Sequence, residues 1–339
     1  MFYIKKFQLA TVVLLLSVAL YGCSNTDPAS TAAKETAAQT EATTSAVPAA
    51  SPETTNSSTE NAPRTVKDDL GNNVVIPANP QRIVAPYLED ALLALGVKPV
   101  AQWSAGDLLL KYLQPQLQDV PKLDFVSLDP EAVLSFTPDL FIVPFAVRVQ
   151  DGAYDKYAKV APTYVFQDAT KDWRKTLLTL GDLLNRATQA KEALQAYDSK
   201  IADIKSALQN QTAGKSAAIM LISDKSFSLM QENTYSGKVI YDGLGLEVPP
   251  GAQGNDWKDI SLESLPELKA DYIFLMQVDG ADPLKNQQLA SIYDTSVWKN
   301  LEAVKAGHVF SVDRDYWINT GLNANLKVAE DVQNLLNRP

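Results

Sequence analysis

Cys23 and His308 are the only cysteine and the only histidine among 339 residues. Disulfide frameworks, cysteine-zinc sites, three-histidine metal sites and any Ser-His or Cys-His dyad not built on His308 are therefore excluded by counting. His308, in Ala306-Gly307-His308-Val309, stands at the entry to a strand pattern with no acidic or Cys partner nearby, and reads as structural. Ser296-Val297-Trp298-Lys299 has the S-x-x-K spacing of penicillin-recognising enzymes, but neither S-D-N nor K-T-G follows. There is no G-x-S-x-G, P-loop or G-x-G-x-x-G, since Gly243-Leu244-Gly245 lacks the third glycine. A glycosidase-type carboxylate pair stays open, because any two of 40 acidic side chains could meet in space.

The chain is richer in aromatic side chains placed after short apolar runs. In open α/β sheets the ligand crevice lies beyond the carboxyl ends of the strands. The candidates there are Tyr87, Trp103, Phe145 and Arg148 in the first half, and Lys225, Phe227, Met230, Tyr235, Trp257, Gln277, Tyr316 and Trp317 in the second. Trp173 and Trp298 fall on helical spacings and read as core. For Trp103, Trp257 and Trp317 the alternative to ligand contact is a plug in the seam between two halves. Arg148 reads either as a charged-ligand contact or as a solvated surface side chain.

These residues need a scaffold, and from Val74 onward short β-branched runs alternate with helical periodicities, which predicts an α/β fold. Strands are expected at 83–85, 140–143, 217–222, 271–276 and 309–312. Asp129 as N-cap with Pro130 at the first helical position announces a helix over 131–136. Gly96 and Gly245 are placed to end helices at 89–95 and 238–244. Pro266 is expected to cut a helix at 262–265 and an amphipathic helix over 325–336 to close the chain. Leu194, Tyr197, Ile201, Ile204 and Leu208 recur at spacings of three and four, so a helix over 188–210 would run about 35 Å without Gly or Pro. Such a helix, flanked by α/β patterning on both sides, predicts a rigid strut between two lobes, 65–187 and 213–339, with the connection at 188–212.

The N-terminal region has a different character. Lys5 and Lys6 precede an apolar run over 9–20, too short to span a bilayer comfortably, so residues 1–22 read as a signal peptide. Leu20-Tyr21-Gly22-Cys23 resembles a bacterial lipobox, with Cys23 as the lipidated residue, although Tyr21 is bulkier than that motif usually has. Of the 41 positions over 24–64, 29 are Ser, Thr, Ala or Pro. Such a stretch buries too little apolar surface to order itself and reads, with Cys23, as a tether over 23–64 with an r.m.s. span of about 35–40 Å. The net charge of −10, without a Lys/Arg block longer than Lys5-Lys6, argues against nucleic-acid binding.

Six collinear strings resemble the iron-siderophore substrate-binding lipoproteins of ABC importers. They are Thr65-Val66 to Arg82-Ile83-Val84 through Asp68, Gly71, Ile76-Pro77 and Pro80; Leu95-Gly96-Val97-Lys98-Pro99-Val100; and Pro130-Glu131 with Thr137-Pro138-Asp139-Leu140. Tyr157 to Ala161-Pro162-Thr163, Ser261-Leu262-Glu263 to Ala270-Asp271-Tyr272-Ile273, and Trp298-Lys299-Asn300-Leu301 to Ala303-Val304-Lys305 complete the series. The resemblance implies two α/β lobes joined by one long helix, a shallow ligand cleft between them and little hinge closure. It also implies that Glu131 and Glu263, one per lobe, dock on the permease. Read from the residues alone, both are equally suited to stabilising a first helical turn.

Tyr316-Trp317-Ile318-Asn319 through Leu326-Lys327, Trp103-Ser104 and Val147-Arg148 look like the hydroxamate branch of that family. A ferric tris-catecholate would call for a basic cluster, whereas a nearly neutral ferric hydroxamate needs aromatic walls and one or two donors. One departure is that Ser223 aligns where that branch tends to carry an Arg. Haem, with Met230 or a Tyr as axial ligand, is the alternative iron complex. The expectation is thus a monomeric, non-enzymatic receptor, lipid-anchored on the extracytoplasmic face of the cell membrane. It would pass a chelated iron to an ABC permease, with no cofactor or protein-held metal of its own. An exported hydrolase is the competing class.

Overall fold

The computed structural model describes residues 62–223, 226–277 and 282–337. The expected signal peptide at 1–22, the expected lipidation site Cys23, the stretch read as tether up to residue 61, and Lys225 lie outside the described residues. The first element is a hairpin, β1 (Arg64–Lys67) against β2 (Asn73–Ile76), whose alternate residues Val74 and Ile76 are buried. β1 starts inside the stretch read as tether.

The first lobe is a parallel sheet. β3 (Ile83–Val84) pairs with β6 (Leu140–Val143), and β6 with β7 (Thr163–Val165); β4 (Gln102–Ser104) pairs with β5 (Lys122–Asp124). A parallel bridge between Val84 and Ala101 joins the two groups. All four residues of β6 are buried, as a strand covered on both faces requires. Around the sheet lie α1 (Glu89–Ala94), α2 (Pro130–Ser135) and α3 (Trp173–Leu183). Asp129 caps α2 as its sequence announces, accepting from the Glu131 amide at 2.9 Å.

α4 (Ala187–Ala207) is the long connection, 21 residues and about 31 Å. Beyond it the second lobe is a five-stranded sheet of order β10-β9-β8-β11-β12, made of β8 (Ala217–Ile222), β9 (Phe227–Met230), β10 (Trp257–Ile260), β11 (Tyr272–Gln277) and β12 (Val309–Ser311). β8, β11 and β12 run parallel, while β9 is antiparallel to both its neighbours. α5 (Arg314–Trp317) and α6 (Leu322–Leu336) follow.

Two local expectations change. The helix expected at 238–244 is a short α-turn, Ser236–Lys238, widening into a π-helix over Val239–Gly243. Pro266 does not cut its helix, because the turn is 3₁₀ and runs from Leu262 to Leu268; proline's fixed φ suits that geometry.

The lobes share more than α4. A single hydrophobic cluster takes in Leu92, Leu177 and Leu180 from the first lobe, Ile204 from α4, and Ile240 and Val328 from the second. α1 packs on α6, α3 on α4, and α4 on α6, so four helices close the seam behind the cleft.

Candidate functional site

The parallel order of the first sheet brings separate loops to one edge. Tyr87 follows β3, Phe125 follows β5, and Phe145 and Arg148 follow β6, all at carboxyl ends; Trp103 sits in the middle of β4. Tyr87 is the hub, its ring centre 6.0 Å from Trp103, 6.3 Å from Phe125 and 5.6 Å from Phe145. The Arg148 guanidinium lies over Phe125, 4.4 Å from its centre, and donates to Val126 O at 3.2 Å. Aromatic surface with one half-buried cation is the result.

In the second lobe Tyr235 and Trp257 make a pair 6.3 Å apart. The antiparallel course of β9 puts its end beside the start of β10, with Trp257 opposite Met230. A cleft of about 750 Å³ is lined by Asp168, Thr170 and Trp173 from the first lobe and by Thr234, Tyr235 and Trp257 from the second. Tyr87 borders a smaller cavity with Thr170, Trp173 and Thr320, which also line the cleft, and Phe145 bridges to Asp168. The aromatic cluster and the cleft are therefore continuous. A second hollow of about 960 Å³ shares Asp168 and Trp173 and extends along Tyr197 and Ile201 of α4.

Tyr87 and Tyr235 both have positive φ, 74° and 41°. Left-handed backbone is costly for bulky side chains and gathers at sites where surrounding structure holds it for a purpose. Burial, and then the neighbouring Tyr235, Glu89 and Asp168, push the Tyr87 hydroxyl well above the ordinary phenol range. It stays a neutral hydrogen-bond donor at physiological pH.

Beneath this surface Glu89 is fully buried, and its Oε1 accepts the Trp103 amide at 2.5 Å. Burial pushes its carboxyl up to about 7, against the opposing pull of the amides of Trp103, Glu89 itself and Tyr87.

Five expectations are corrected. Trp317 is 0% exposed, with its ring 5.0 Å from Phe274 and its Nε1 donating to Asp331 at 2.9 Å, because α5 turns it into the core. Met230 is also 0% exposed, its sulfur accepting from Ser236 Oγ at 3.2 Å, so it cannot serve as an axial haem ligand in this fold. Phe227 is core, stacked on Trp298 at 6.1 Å. Trp103 and Trp257 stand within strands rather than after them, although both remain half-buried at the site. Tyr316 lies at the lobe seam, 6.2 Å from Tyr112, with its hydroxyl donated to Asp331 at 2.7 Å.

Phe125, Asp168, Thr170 and Trp173 are site residues that sequence reading missed. Phe125 follows β5, but Lys122-Leu123-Asp124 is too polar to read as an apolar run, so no signal in the sequence marks it. His308 packs on Tyr272 at 4.8 Å, with Nδ1 3.2 Å from Asp271 O, in line with a structural role. Glu131 and Glu263 are exposed in the first turns of their helices. The backbone amide of Glu263 and the Ser261 side chain hold the Glu263 carboxyl below its usual range. Among the described residues no three His, Cys, Asp or Glu side chains gather as a metal cage.

The sequence model for periplasmic binding proteins matches residues 88–316. A probable siderophore-binding lipoprotein of Bacillus subtilis, YfiY, is 32% identical over 274 residues, covering 76% of this chain and 82% of its own. The iron(3+)-hydroxamate-binding protein YxeB of the same organism is 30% identical over 273 residues, or 74% and 78% of the two chains. Among solved structures, a FhuD fold-family component of a ferrichrome ABC transporter from B. subtilis superposes with a TM-score of 0.68 at 24% identity, covering 81% of this chain and all of the other. Staphylococcus aureus SirA with staphyloferrin B gives 0.66 at 24% identity, over 81% and 98%.

Proposed function

The chain belongs to the periplasmic binding protein family, and from that premise we propose that it captures a ferric siderophore, of hydroxamate type, and delivers it to an ABC permease. The observation that carries the ligand class is the meeting of Tyr87, Trp103, Phe125 and Phe145 with the single guanidinium of Arg148, in a cluster whose Tyr87 stands near Tyr235, which lines the cleft with Trp257. Aromatic walls suit a nearly neutral chelate with an apolar periphery, and one arginine suits an exposed ligand oxygen. A tris-catecholate would arrive with three negative charges and find Arg148 in that cluster, with Lys171 and Lys238 of the cleft offset by Asp168 and Asp256.

In this reading the chelator holds the iron and the protein contributes shape, rings and one or two hydrogen bonds, performing no chemistry on its cargo. Glu131 and Glu263, exposed one per lobe, would meet permease arginines. Cys23 would carry the lipid that keeps the receptor at the extracytoplasmic face of the membrane. The relatives' names as siderophore-binding lipoprotein and hydroxamate-binding protein support the same role.

The test is a titration of the purified protein with ferric hydroxamate, ferric tris-catecholate, ferric citrate and haem, followed by tryptophan quenching and calorimetry. Sub-micromolar binding of the hydroxamate, weaker binding of the others, is expected. Preference for the catecholate or haem would overturn the ligand class, and no binding of any would overturn the function.

A further inference from the structure

Glu89 opens α1 and lies directly behind the aromatic surface. Its carboxyl is tied to the backbone of that surface: Oε1 takes the Trp103 amide at 2.5 Å, and the amides of Tyr87 and of Glu89 itself also favour its charged form. Oε2 is buried and has no hydrogen-bond partner, an expensive arrangement to keep in a core. The two rings concerned are neighbours, 6.0 Å apart, and Tyr87 is held in a left-handed backbone that its own side chain disfavours. Trp103 comes from β4 and Tyr87 from the loop after β3, so the carboxyl ties two separate chain segments. Its surroundings hold few other charges. Asp90 follows it on α1, and Tyr87 and Tyr112 are the phenols it acts upon; Asp315 stands beyond Tyr112 and Asp168 beyond Tyr87.

We propose that Glu89 is a positioning residue for ligand capture, its buried carboxyl setting the seats of Tyr87 and Trp103 and so the shape of the wall that meets the chelate. The proposal rests on the receptor reading above and extends it to a residue the ligand does not touch. An ionised carboxylate is the stronger acceptor, so taking up a proton loosens the wall. Affinity then falls as pH drops through the neutral range, by about three- to tenfold. Folding stability moves the opposite way, because the buried carboxyl prefers to be neutral. A purely structural residue would move the two together.

Two arms test this. In the first, ferric hydroxamate affinity is measured for wild type, Glu89→Leu and Glu89→Gln between pH 5.5 and 8.5. Glu89→Leu, which removes the acceptor, loses about tenfold or more. Glu89→Gln, which keeps one acceptor oxygen, recovers most of that loss and shows no inflection near neutrality. Wild-type affinity in Glu89→Leu, or the same inflection in Glu89→Gln, overturns the proposal. The second arm uses ligand-free protein, reading Trp103 emission as the difference between each protein and its Trp103→Phe counterpart. That emission titrates near pH 7 in wild type and is flat in Glu89→Gln. A flat wild type, or an unchanged titration in Glu89→Gln, overturns the proposal whether or not any chelate binds, which separates its failure from that of the receptor reading.

Discussion

Asp90 in the first lobe caps a helix that belongs to the second: its Oδ2 accepts the Ala324 amide at 2.9 Å, while Oδ1 accepts the Asn323 amide at 2.9 Å. α6 has Gly321 at its own cap position and no side-chain cap of its own, so its first donors are met from across the seam. The arrangement is reciprocal. Asp315 of the second lobe accepts the Tyr112 amide of the first at 2.6 Å, and the Tyr112 hydroxyl returns to Asp90 Oδ2 at 3.0 Å. Opening the lobes would strand buried donors on both sides, which favours a cleft that stays near one width.

Asp90→Ala should lower unfolding stability by about 2 kcal/mol, the scale of a lost cap with orphaned amides. Denaturant melts measure this. Gly321 supplies a second reading, because a β-carbon there would stand 2.5 Å from Asp90 Oδ1. Gly321→Ala should therefore cost less in the Asp90→Ala background than in wild type. Additive effects would mean the two positions are not coupled.

Glu89 gives stability a pH dependence of definite sign. Its carboxyl rises from 4.5 to about 7 on folding, so over that interval the folded chain holds a proton the unfolded chain has released. The stabilisation is complete below about pH 4.5 and is lost as pH rises through 7, a change of about 3 kcal/mol. Burial raises Asp90 and Asp315 in the same direction. Melting wild type and Glu89→Gln from pH 4.5 to 8 isolates the Glu89 part; parallel curves would contradict it.

Arg148→Ala should weaken ferric hydroxamate binding by about 1.5–3 kcal/mol if the guanidinium makes a charge-assisted hydrogen bond. Phe125→Ala should weaken it as well, since Phe125 is the ring under that guanidinium. Calorimetry checks both, and unchanged affinity in Arg148→Ala would make it a surface side chain.

Quenching by a ferric hydroxamate should come mainly from Trp103, Trp173 and Trp257, which border the site, rather than from the buried Trp298 and Trp317. Single Trp→Phe variants divide the signal. A quench that survives in Trp103→Phe and Trp257→Phe at full amplitude would place the ligand elsewhere.

Replacing Glu131 and Glu263 together by Ala should leave chelate affinity unchanged and abolish iron uptake in cells. Both are exposed, so the fold should survive the change, with only a small loss of stability from the first-turn contacts of Glu263. Normal uptake would remove them from the docking role.

Much of the scaffold is legible locally. The spacing of Tyr197, Ile201 and Ile204 marks α4 because a helix repeats its buried face every three or four residues, and the unbroken run Leu140–Val143 marks a strand covered on both sides. The Asp129-Pro130 start of α2 is a short-range signal as well. The order of β9 and β10 was not available in this way, since antiparallel pairing at an edge depends on which segment arrives beside which.

Counting and spacing were enough for the fold class, and the six strings resembling a known family supplied the rest: one Cys and one His removed most catalytic and metal chemistry, and periodicity specified two α/β segments around a long helix. Which aromatics face the cleft was settled by packing alone. Trp257 and Trp317 look alike in sequence, yet one is half-buried at the cleft and the other is sealed against Phe274. Asp90 and Glu89 look like ordinary first-turn acids, yet one caps the opposite lobe and the other lies behind the aromatic wall. Spacing along the chain sets which residues share a face, but the direction that face takes is set by contacts with segments as far as hundreds of residues away.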